Sequence, residues 1–230
     1  MDNSGTVQGG TGGASGYSDQ RYLAGSGGVG IAGAGLTVTN SGTIAGGFSI
    51  DGNGPQADAI RFSGGVNTLE LRAGSAISGT VEAFSAADTL RLGGNVDSSF
   101  DVSGVGQQYQ GFGIYEKTGN GTWTLTGSTS AVTSWTVDQG TLRIGGDWSL
   151  GDVSGALTLN GGALQVTGNP VSFTLERQII LGANGGTFDV GAGKNLILDG
   201  VVSGDGQLAK TSSGTLTLTG ANSYSGGTAV

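Results

Sequence analysis

Apolar and polar residues alternate along most of this chain. In the stretch 214–220, Gly-Thr-Leu-Thr-Leu-Thr-Gly, Leu216 and Leu218 share one side, and Thr215, Thr217 and Thr219 share the other. A period of two, bounded by glycine, marks a short strand with one dry face. The same rhythm runs through 36–39, 59–62, 68–72, 89–92, 99–102, 141–144, 156–159, 163–166, 172–175, 187–190 and 195–198. Each segment closes on Gly, Asn, Asp or Ser, residues that build tight turns. No stretch sustains a 3.6-residue period between helix caps, so the pattern predicts almost no helix.

One phrase recurs. Residues 117–127 (Lys-Thr-Gly-Asn-Gly-Thr-Trp-Thr-Leu-Thr-Gly) and 210–220 (Lys-Thr-Ser-Ser-Gly-Thr-Leu-Thr-Leu-Thr-Gly) agree at 8 of 11 positions without a gap. The register continues forward, where Val137 and Val230 stand at the same interval past the lysine (137 − 117 and 230 − 210). A strand that recurs in register is a repeat unit.

Short one-faced strands need a closed arrangement to be stable. A sandwich would not generate a repeated phrase. A membrane barrel needs spans about twice as long, with the apolar side outward. Stacked windings of a parallel β-helix fit both the alternation and the repeat. At ~22 residues and ~4.8 Å per winding, the chain makes ~10 windings and a rod ~50 Å long. Leu69, Leu71, Leu90, Leu92, Trp123, Leu125, Leu142, Ile144, Leu157, Leu159, Leu216 and Leu218 are expected to point inward. Residues 1–35 read as Gly-rich loops or loosely wound coils, and 36–230 as the β-helix.

Composition narrows the function. Fifty of 230 residues are glycine without a three-residue period, which excludes collagen and calls for many turns. The net charge is −8 and nine Lys and Arg are scattered, which leaves no basic footprint for nucleic acid. No apolar run reaches the length of a membrane helix. The opening Met-Asp-Asn-Ser-Gly lacks a basic and an apolar leader region. The chain therefore reads as cytoplasmic, or as a piece of a longer exported protein with an added Met1.

The second copy and its approach, 204–230, resemble the passenger-associated transport repeat, also called the autotransporter-associated β-strand repeat. The likeness rests on Leu208, Lys210, Gly214, Leu216, Leu218, Gly220, Asn222, Tyr224, Gly226, Gly227, Thr228 and Val230. The first copy, 117–144, carries Lys117, Gly121, Trp123, Leu125 and Gly127. It departs over 128–134, where Asn-x-Tyr-x-Gly-Gly is missing, and rejoins at Val137, Gly140 and Leu142. The resemblance implies a right-handed parallel β-helix, part of a longer rod, from the secreted passenger of a type V system. It implies a C-terminal translocator barrel as partner, a bacterial cell-surface or secreted location, and a role in translocation and display. Adhesion to host or neighbouring cells and autoaggregation belong to the same class. A severed repeat leaves an open strand edge, so end-to-end association is expected.

Other chemistry finds little support. Without His or Cys there is no Ser-His-Asp triad, thiol nucleophile or His-based metal site. No cofactor or metal is expected, and no catalysis. The alternative is a β-helical polysaccharide-degrading enzyme or carbohydrate-binding module, which would use paired acids. The closest pairs are Asp51 with Asp58, Asp97 with Asp101, and Asp147 with Asp152, all in turn-rich stretches where Asp caps loops. Residues 28–33 match G-x-G-x-x-G but lack the flanking strand and helix of a nucleotide site. The outward threonine rows 122–126 and 215–219 could bind ice only on adjacent windings, yet they lie 93 positions apart (215 − 122).

Overall fold

Strands with one apolar side cover that side by stacking, and here the backbone bonds run from winding to winding. The computed structural model describes residues 1–13, 25–50, 54–167 and 172–230. The polar patch 17–22 and Asp51 lie outside them. Among the described residues the chain is all-β, with parallel strands stacked as a β-solenoid. Among the described residues the helical content is two 3-10 turns, Val102–Gly104 and Asp147–Leu150.

Two compact units form. In the first (1–90 with 106–113), one face stacks Asp2–Asn3, Thr37–Asn40 and Thr68–Leu71. Another stacks Ile31–Ala34, Ile60–Gly64, Val81–Glu82 and Tyr109–Gln110, and a third Thr6–Gln8, Thr43–Ala45 and Ala76–Ser78. The registers Asp2↔Thr39 and Thr39↔Glu70 set long windings (39 − 2, then 70 − 39). Windings this long leave fewer turns than the even, shorter spacing expected from the sequence. Buried polar groups bridge windings here. Asn3 Nδ2 donates to Asn40 Oδ1 at 2.8 Å, and Asn40 Nδ2 donates to Ser75 Oγ at 2.7 Å. The buried Asp88 carboxylate accepts from the backbone N–H groups of Asn67 and Phe84 at 2.8 and 2.7 Å. These bonds offset the cost of burying polar groups.

The second unit (91–105 with 114–230) is more regular. Its first face stacks Ile114–Lys117, Trp135–Val137, Leu157–Leu159, Ile179–Leu181 and Val202–Gly204. Its second face stacks Ser98–Asp101, Thr122–Thr126, Thr141–Ile144, Ala163–Val166, Gly186–Val190, Leu208–Thr211 and Thr228–Ala229. Its third face stacks Ser172–Leu175, Asn195–Leu198 and Thr215–Leu218. The registers Tyr115↔Trp135, Trp135↔Leu157, Leu157↔Ile179 and Ile179↔Val202 set shorter windings of nearly constant length (135 − 115, 157 − 135, 179 − 157 and 202 − 179). Alternate side chains then align into buried columns, such as Leu142, Leu164 and Phe188, or Ile144, Val166 and Val190. Fully burying each side chain contributes roughly 1.5–3 kcal/mol.

Ten of the twelve side chains expected inward are buried. Leu216 and Leu218 are only half-buried. Their strand pairs with Asn195–Leu198 and with no other strand among the described residues, so one side of each leucine has no covering winding.

Candidate functional site

Both copies of the repeated phrase fall in the second unit, and each spans one winding. Lys117 pairs in register with Val137. Leu208 and Ala209 pair with Thr228 and Ala229, one winding on. The copies nevertheless occupy different faces. Lys117 ends a first-face strand and 122–126 lies on the second face, whereas Lys210 is on the second face and 215–218 on the third. The registers carry the position of Lys117 through Val137, Leu159 and Leu181 to Gly204. Lys210 lies further along the chain (210 − 204), one face on.

The lysine closes a corner in each copy. Lys117 and Lys210 stand in apolar columns, in register with Val137 and Phe188. A cation there must turn its head to partners while its stem stays in the column. Lys117 Nζ donates to the carbonyls of Thr118 (2.8 Å), Gly119 (2.7 Å) and, from the next winding, Gln139 (3.1 Å). Lys210 Nζ donates to the Ser212 carbonyl at 2.7 Å. Gly119 and Ser212 are equivalent positions, both left-handed with φ of 69° and 59°. That conformation is rare for a residue with a side chain, and the lysine bonds the carbonyl of the same residue. Lys117 is fully buried, and burial pulls its amine down to about 8, against the opposing pull of Asp97.

The glycines of the phrase mark where windings touch. A Cβ on Gly121 would lie 2.7 Å from the Val96 carbonyl oxygen, and one on Gly214 would lie 2.3 Å from that of Gly191. Gly127, Gly140, Gly220 and Gly226 are equally crowded, and Gly227 is left-handed. Trp123 is buried and its Nε1 donates to the Gly93 carbonyl at 3.0 Å. Leu125, Leu142 and Leu208 are also buried in their columns. Asn222 Oδ1 accepts from the Val202 N–H at 2.8 Å, which ties its winding to the one before. The Tyr224 and Thr228 hydroxyls pair at 2.7 Å, and Val230 is exposed.

Just past the first copy, the chain forms a loop that the sequence did not disclose. The segment 147–155 wraps the buried guanidinium of Arg177. Arg177 Nε donates to Asp147 Oδ1 at 2.7 Å, and its two terminal nitrogens donate to the carbonyls of Asp147, Leu150, Gly151, Asp152 and Gly155 at 2.7–3.4 Å. Arg177 had no signal in the sequence, because its partners lie a winding or more away along the chain.

The described acids of the candidate pairs bond neighbouring groups. Asp97 Oδ1 accepts the Thr122 N–H at 2.7 Å, and Asp101 Oδ1 accepts the Ser103 N–H at 3.0 Å. Asp58 bonds Arg61 and Thr80. Asp152 Oδ1 accepts from Ser154 N–H and Oγ–H at 2.9 and 2.7 Å, which holds its carboxyl below its ordinary range. Residues 28–33 lead into the strand Ile31–Ala34 of a parallel sheet, and no helix follows. Among the described residues, no group of three or more acids could hold a metal ion, and no helix is long and apolar enough to cross a membrane.

Comparison with known proteins agrees with this geometry. The family model of the passenger-associated transport repeat matches residues 116–144 and 208–230. The adhesin BmaC autotransporter of Brucella suis biovar 1 (strain 1330) is 34% identical over 136 residues, which is 59% of this chain. The match spans 4% of that protein's length. No solved structure matches. Two one-winding transport repeats within a parallel β-solenoid, and a relative that is an adhesin autotransporter, support an autotransporter passenger as the family of this chain.

Proposed function

We propose that this chain is a stem segment of an autotransporter passenger, displayed at the cell surface or secreted, whose repeat windings assist folding outside the outer membrane. It carries no catalysis of its own in this reading, and its partner in export is a C-terminal translocator barrel. The supporting observation is the lysine corner. In both copies Nζ bonds a carbonyl two residues away, so a corner can close on local contacts before its neighbours arrive. A closed winding then offers a hydrogen-bonding edge to the next. Adhesion and self-association belong to the same reading.

The test is surface display of the full-length protein in cells, read by protease accessibility. Lys117→Met with Lys210→Met is expected to lower the displayed fraction and leave passenger in the periplasm. Display equal to that of the parent would refute the translocation role.

A further inference from the structure

Two loops, 128–134 within the first repeat and 147–155 just after it, meet side by side. The Asp152 N–H donates to the Ala131 carbonyl at 2.9 Å, and Thr133 Oγ1 donates to the Leu150 carbonyl at 2.6 Å. Arg177 fixes the second loop from within. On this rigid base three large apolar side chains stay open: Trp148 (51% exposed), Val132 (57%) and Val153 (50%). The protein's other tryptophans, Trp123 and Trp135, are buried.

Trp148 is held flat. A Cβ built on Gly146 would lie 2.3, 2.3 and 2.6 Å from Cη2, Cζ3 and Cε3 of the indole. Near-equal distances to three adjacent ring carbons place the glycine beneath the face of the ring and not at its edge. One face therefore rests on main chain, and the half-exposed ring offers its other face to solvent. The two loops also carry exposed polar side chains. Ser128, Ser130, Asp152 and Ser154 are exposed, and neither 128–134 nor 147–155 contains Lys or Arg.

We propose that this ledge binds neutral oligosaccharide chains, which rests on and deepens the adhesive part of the function above. The indole face takes the C–H face of a pyranose, and the serine and Asp152 oxygens bond its hydroxyls. Without an exposed cation, the ledge disfavours anionic glycans. A stable protein partner needs about 800 Å² per side, far more than one indole and two valines supply, whereas a sugar ring is matched in size to the indole.

The experiment is a titration of the purified protein with cellohexaose, maltohexaose and chitohexaose, followed by tryptophan emission, with polygalacturonate as the anionic control. A saturable shift with at least one neutral probe is expected, with Kd about 1 mM or tighter. Trp148→Ala is expected to weaken binding about tenfold or more, and Gly146→Ala, which lifts the ring, to weaken it as well; binding to both is then followed by calorimetry. Unchanged far-UV spectra and melting temperatures establish that the variants fold. Should either variant misfold, Val153→Ser tests the same ledge and is expected to weaken binding. No saturable shift with any neutral probe, undiminished binding by the folded variants, or preference for polygalacturonate each overturns the proposal. Failure here leaves the display assay untouched, so the two readings fail separately.

Discussion

The two copies of the transport repeat share a phrase and differ in their surroundings. In the first, Trp123 and Leu125 are sealed between windings, and Lys117 reaches three carbonyls, one of them a winding away. In the second, Leu216 and Leu218 are half-buried, and Lys210 bonds its own turn. The first copy also lacks Asn-x-Tyr-x-Gly-Gly over 128–134, a stretch that bonds instead to the loop held by Arg177, while the second keeps Asn222 and Tyr224 as ties. One phrase thus codes a winding and its corner, while neighbouring windings decide how much that winding contributes to stability.

Removing the anchor of the divergent loops should have the largest effect. Arg177→Ala leaves Asp147 and five carbonyls without their cation and is expected to cost about 3–5 kcal/mol, read by denaturant unfolding. A cost under ~1 kcal/mol would mean that the loops hold without it. Exchanging the tryptophan and leucine of the two copies comes next. Trp123→Leu opens a cavity and frees the Gly93 carbonyl, at about 2–3 kcal/mol. Leu216→Trp, on a half-exposed strand, should stay within ~1 kcal/mol. Equal costs would contradict the difference in burial.

The lysines give the last comparison, and Lys210 the smallest effect. Lys117→Met deprives three carbonyls of their donor, at about 1–3 kcal/mol, and Lys210→Met costs within ~0.5 kcal/mol. The pH profile adds a check. The native Lys117 amine titrates at about 8, below its ordinary 10.5. Below 8 both states hold the proton. Above 8 the native state holds fewer protons than the unfolded chain, so stability rises with pH. The rise is expected between pH 8 and 10 and should vanish in Lys117→Met. Above 10 an opposing effect enters, because burial raises Tyr115 and pushes Tyr109 up to about 12. Their stabilising share is lost as pH climbs through those raised values. A flat profile from pH 8 to 10 in the parent would show that the Lys117 amine is not desolvated as described.

Much of the fold was legible beforehand because its rule is local. Alternation along Thr141–Ile144 or Leu157–Leu159 states which side chains are inward, whatever the strand pairs with. The spacing from Lys117 to Val137 is a winding length, and the structure pairs those two residues. The ledge around Trp148 was not legible. Its exposure depends on loops whose partners, Ala131 with Asp152 and Arg177 with Asp147, are far apart in sequence.

By itself the sequence determined the strand rhythm, the glycine-bounded turns and the recurrence of one phrase in register. The rhythm and the turns follow from backbone geometry within a few residues. Only the tertiary structure decided which face each copy occupies, which leucines are sealed, and what Arg177 holds. Those depend on the summed lengths of all intervening windings, and on hydrogen bonds that link one winding to the next.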